Sequence, residues 1–163
     1  MLMKYLILFV ISMVPIVELR GALIAAAGYA AADPGFSMVL AYIVCVLGNM
    51  LPVPFIYLFA RRLLLWGADK KYIGKFFRWC LAKGEKGGKK LEEKAGRGLF
   101  VALLLFVGIP VPGTGAWTGT LAASILDMEF KHTILAAMGG VLLAGIIMAL
   151  ASTGLFNAVL AFF

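Results

Sequence analysis

The sequence predicts an all-α integral membrane protein of two pseudo-symmetric halves, each a re-entrant helical hairpin followed by a long transmembrane helix, continuous or broken. Three observations predict it. First, 63% of the 163 residues are hydrophobic and 14% are charged, whereas a soluble domain is about half apolar and a quarter charged. One water-soluble core cannot hide that much apolar surface. Second, the charge is concentrated. Residues 61–97 hold twelve of the fifteen Lys and Arg residues with four acids, net +8, against −1 for the rest. Third, four uncharged runs are too short to cross a bilayer, and they come in two pairs, each interrupted by proline.

The first half is residues 1–60. Runs 5–17 and 21–32 carry no charge. As helices they are about 18–20 Å long, short of the roughly 30 Å hydrocarbon core. Joined into one helix they would put Glu18 and Arg20 near the bilayer centre, at roughly 2.5–3.5 kcal/mol each. Pro15 would also remove a helix hydrogen bond. A hairpin that enters and turns back avoids both costs. Lys4 before an apolar run, with "YAAAD" behind it, resembles a secretory signal, but Glu18 and Arg20 interrupt that run. Residues 36–60 are the first spanning candidate. Within them "GNMLPVPF" sets Asn49 beside Pro52 and Pro54, a polar break in an apolar helix.

Residues 61–97 form a basic linker. The positive-inside rule puts it in the cytoplasm, so the basic balance needs no nucleic-acid partner. In "KKYIGKFFRWCLAK", Tyr72, Ile73, Phe76, Phe77 and Cys80 share one helical face and Lys71, Lys75 and Arg78 the other. That pattern predicts an amphipathic helix in the headgroup region, serving either as an anchor or to bind anionic lipid. "KGEKGGKKLEEKAGRG" then reads as a glycine-rich hinge.

The second half, residues 98–163, repeats the order of features. Runs 98–109 and 113–126 flank "PVPGTG", and residues 133–163 are the second spanning candidate, with room to bend at "ASTG". At an offset of 94 residues Val17 meets Val111, Gly21 meets Gly115, Ala22 meets Ala116, Asp33 meets Asp127 and Phe36 meets Phe130. Internal repeats of this kind are common in transporters. Asp33 and Asp127 each precede a long apolar run, where Asp caps helices well.

"GIPVPGTGAWTG" is the poorest helix-forming stretch in the chain and lies at membrane depth. Such backbone is tolerated only when buried in protein or lining a wet cavity. Pro110 and Pro112 stop one half-helix, and Gly113 and Gly115 permit a turn and leave amides bare. The next helix start then offers free N–H groups and a positive dipole end to an anionic group. Thr114 and Thr118 add hydroxyls, and Trp117 either stacks on a ligand or plugs the space between hairpins. An acid within apolar sequence is a functional-site hypothesis by default, which selects Glu18 as a proton-responsive group. Arg20 is suited to gripping a phosphate. At i,i+2 the two do not face each other on a regular helix, so either the backbone is irregular there or each has another partner across the hairpins. The structural alternative is an ion pair that locks the two tips. Cys45, Cys80 and His132 form no nucleophilic or metal-binding set. The expectation is therefore a non-enzyme without catalytic residues, metal or cofactor.

"PIVELRGA", "GNMLPVPF" and "IPVPGTGAWTGTLAA" together resemble the small multidrug export protein family, over most of the chain. In layout the family is similar to the DedA/VTT superfamily, whose members are thought to carry two opposed re-entrant hairpins with acidic and arginine residues near the tips. The resemblance implies a compact homodimeric helical transporter in the inner (plasma) membrane of a prokaryote. Its partners would be membrane lipid and either a polyprenyl phosphate or a small amphipathic, drug-like substrate. Glu18 and Arg20 match the first motif, Asn49 the second, and Gly113, Thr114, Gly115 and Trp117 the third. The arginine-rich DedA motif of the second half has no counterpart here; "PGTGAW" stands in its place.

Overall fold

The computed structural model describes residues 1–70, 74–75, 77–79, 82, 98–111 and 113–161, with 152–161 by backbone alone. Most of the amphipathic helix and hinge expected over 61–97 lies outside these residues, as does Pro112. Among the described residues the chain is helical, with no strand.

α1 (Leu2–Met13) stops where Pro15 forces Val14 into extended backbone, φ −73° and ψ 129°. The chain turns through Ile16, at φ 76°, and Glu18, at φ 50°. For a β-branched residue such as Ile16, left-handed backbone is a true outlier. α2 (Glu18–Ala32) then runs back along α1. Lys4 at the start of α1 pairs with Asp33 just after α2, at 2.8 Å, and the Tyr5 ring stacks on Phe36 at 4.9 Å. Asp33 therefore ties the hairpin ends together instead of capping the next helix. That cap is Ser37, whose Oγ accepts from Leu40 N at 3.3 Å.

α3 (Met38–Met50) and α4 (Pro52–Ala68) meet at Leu51, which keeps helical dihedrals of φ −58° and ψ −44°. The break expected at "GNMLPVPF" is thus a proline interruption within one apolar helix of 31 residues, Met38–Ala68. At 1.5 Å per residue it is about 46 Å long and overshoots a bilayer core of about 30 Å. The second half follows the same order. α5 (Gly98–Gly108) and α6 (Ala116–Ile125) are short, and α7 (Phe130–Ala161) holds the other apolar span, Phe130–Ala151. The four short helices are about 15–22 Å long.

The distribution of side chains inverts that of a water-soluble protein. Large apolar residues face outward on every side: Ile16 is 97% exposed, Leu2 83% and Leu150 70%. Ser12, Glu18, Asn49, Thr120, Ser124 and Thr133 are buried. Most of these close hydrogen bonds onto backbone, as Ser124 Oγ does on Tyr57 O and Thr120 Oγ1 on Ala116 O. Small residues line the central contacts, with Ala22, Ala26 and Ala27 of α2 and Ala136, Ala137 and Ala144 of α7 all buried. Close approach through small residues is how helices associate when lipid removes the hydrophobic drive. The fold is that of a membrane protein with α2 at its centre, packed against α1, α3 and α7.

Candidate functional site at the interlocked hairpin tips

A helix leaves N–H groups bare at its start and carbonyls bare at its end. Hairpin α5–α6 breaks in mid-chain and so exposes one set of each, side by side. The tip of hairpin α1–α2 supplies both partners. Glu18, 5% exposed, accepts from Ala116 N at 3.2 Å and Trp117 N at 3.1 Å. A carboxylate on the first amides of α6 has charge-assisted hydrogen bonds and a favourable dipole. Arg20 reaches the other broken end. Its Nη1 donates to Val111 O at 2.6 Å. Its Nη2 lies 3.1 Å from Ile109 O, 3.4 Å from Val107 O and 3.0 Å from Thr114 Oγ1. The planar fork of a guanidinium suits several carbonyls at once.

Trp117 completes the lock from the opposite side, its Nε1 donating to Met13 O at 3.2 Å. It thereby ties the second tip to the end of α1. Gly115, at φ 149°, adopts backbone that other residues rarely take, and a Cβ there would strike the Glu18 carboxylate. Gly113, at φ 85°, turns the chain with nothing within 4 Å of its would-be Cβ. Thr114 folds back onto its own loop. Its hydroxyl is 2.8 Å from Val111 O and its amide donates to Val111 O at 3.2 Å.

The structure thus brings Glu18, Arg20, Thr114, Gly115 and Trp117 together, with Gly113 at the edge. The i,i+2 spacing aims the acid and the arginine at different targets, as expected. The amides that meet an anion are Ala116 and Trp117, at the start of α6, and the anion they hold is Glu18 itself. Asn49 stands apart from this hydrogen-bond set. It is 2% exposed in α3, and its Oδ1 has no hydrogen-bond partner among the described residues. Sequence reasoning missed the Val107, Ile109, Val111 and Met13 carbonyls as partners. The signal for the first three was the proline-stopped helix end, which must leave acceptors open. No group of His, Cys, Asp and Glu able to hold a metal occurs among the described residues.

These features meet in an integral membrane protein with a partly buried, charged junction between two broken hairpins. The model of the family described as "Putative small multi-drug export protein" matches residues 18–147, which contain every residue of the junction except Met13. The chain belongs to this family. No curated protein and no solved structure matches it.

Proposed function

We propose that the chain is a membrane transporter in which the interlocked tips are the gate. Both hairpins enter the bilayer and return, so that the junction sits near mid-depth between the two spanning helices. The reciprocal capping of hairpin α5–α6 by Glu18 and Arg20 carries this reading. Every charge at the junction is satisfied only while the tips stay together. When they part, Arg20 and the Ala116 and Trp117 amides become free donors beside one another. That set suits the phosphate of an amphipathic, lipid-linked anion of the polyprenyl-phosphate type. Protonation of Glu18 would weaken its hold on the amides, which couples opening to a proton. The likeness in layout to the DedA/VTT superfamily supports the same reading, with a homodimer in a prokaryotic plasma membrane and residues 61–97 in the cytoplasm.

The second reading is proton-coupled export of cationic or amphipathic drugs. The family description favours it, and so does Glu18, which on release is the junction's one negative side chain. A leaflet assay in proteoliposomes separates the two. Labelled polyprenyl phosphate crosses rapidly with wild type and at the empty-liposome rate with Glu18→Gln if the first reading holds. If wild type moves no phosphate lipid but extrudes a cationic dye down a proton gradient, the second holds. Neither activity in a folded, correctly inserted protein would leave a structural membrane protein.

A further inference from the structure

An apolar groove of about 190 Å³ runs between α5 and α6, lined by Leu99, Ala102 and Phe106 on one side and by Ala122, Leu126 and Met128 on the other. Ala102, Phe106 and Ala122 are exposed, so it opens outward. From Leu99 to Phe106 it follows α5 for about 10 Å. Its inner end stops one turn short of the tip. Its outer end is marked by charge. Asp127, between Leu126 and Met128, is paired with Arg61, and Glu129 lies 2.9 Å from the imidazole of His132, which offsets its charge only when protonated. That leaves Arg62, next to Arg61, and Lys131, in the first turn of α7, as exposed cations that pair with no acid among the described residues. Arg61 lies about 34 Å along its helix from Met38, which puts this end at headgroup level.

We infer that the α5–α6 groove holds one hydrocarbon chain of an acidic membrane lipid, with its phosphate facing Arg62 and Lys131. The lining excludes polar matter, so the occupant's body is a chain. The cations select an anionic head over a zwitterionic one. This site is separate from the hairpin tips and does not depend on what they transport.

Native mass spectrometry of the full chain, released from detergent with lysophosphatidylglycerol or lysophosphatidylcholine as probes, tests the inference. Wild type should retain one lysophosphatidylglycerol, in preference to lysophosphatidylcholine by roughly tenfold. Ala122→Phe, which fills the groove from an exposed wall, should lose the retained adduct with either probe while melting as wild type does. Arg62→Gln with Lys131→Gln should keep a bound chain and lose the preference for the anionic head. Should Ala122→Phe fail to fold, Ala102→Phe blocks the same groove from α5. Equal retention of the two probes by wild type would overturn the inference, as would an undiminished adduct in a folded groove-filling variant.

Discussion

The two hairpins occupy the same place in their halves and are built in opposite ways. α1 and α2 pack closely along their length and are tied at the open end by Lys4–Asp33 and the Tyr5–Phe36 stack. Their tip carries both charges of the junction on strained backbone at Ile16 and Glu18. α5 and α6 separate around an apolar groove. Their tip brings no charged side chain to the junction and offers two backbone amides, three backbone carbonyls, the Thr114 hydroxyl and the Trp117 indole N–H. One hairpin is the charged key and the other a lock of helix ends. A buried charge in a membrane is tolerated when it is fully hydrogen-bonded, and a broken helix is tolerated when its ends are capped. Each hairpin thereby removes the other's penalty.

Breaking that reciprocity should have graded effects. The largest belongs to Gly115→Ala, which sets a methyl against the Glu18 carboxylate and imposes a forbidden φ together. A loss of about 3 kcal/mol or more is expected, read as a collapsed melting transition in detergent. If Gly115→Ala melts like wild type, the tips are not locked as described. Arg20→Ala comes next, at about 1–2 kcal/mol, because it removes the guanidinium that ties the half-buried end of α5 to the other tip. Arg20→Lys should recover only part of this, since a single ammonium cannot fork across three carbonyls. Full recovery would mean that charge alone matters.

Asn49→Leu sharpens the comparison from outside the junction. Removing a buried amide oxygen that lacks a partner should be neutral or stabilising by about 1 kcal/mol. If transport nevertheless falls, Asn49 serves the moving state and not the closed one. A stability loss would show that the amide has a partner in the bilayer. The smallest effect belongs to the half-buried tie of the first hairpin. The Lys4 hydrogen bond, aided by the Gly35 amide, holds the Asp33 carboxyl below its ordinary value. A depressed carboxyl stabilises the folded state above its unfolded pKa and loses that contribution as pH falls through its folded one. The melting difference between wild type and Asp33→Asn should therefore be present at pH 6 and fade below about pH 3.9. A difference that persists in acid would assign the effect to packing.

Much of this was legible in the residues. The membrane class follows from composition, because no chain of this length can hide so large an apolar fraction. The break at "PVPGTG" follows from proline and glycine chemistry, which acts within a few residues. Glu18 stood out because an acid among apolar residues must have a reason. The interruption at Pro52 was legible as well, but its mildness was not. Leu51 keeps helical dihedrals although it precedes a proline, a position that disfavours them. The capping assigned to Asp33 failed because α3 begins only at Met38, where Ser37 caps it, and the Asp33 carboxylate instead meets a lysine 29 residues away.

What the sequence alone determined is therefore local or compositional: a membrane-embedded helical chain, short paired runs, and the positions of the charges and breaks. What only the tertiary structure decided is who caps whom. Glu18 and Ala116 are 98 residues apart, and Arg20 and Val111 are 91. Bare amides and carbonyls announce that a partner is needed without naming it. A free helix end accepts any group of the right charge, so only the packing of one hairpin against the other makes the choice.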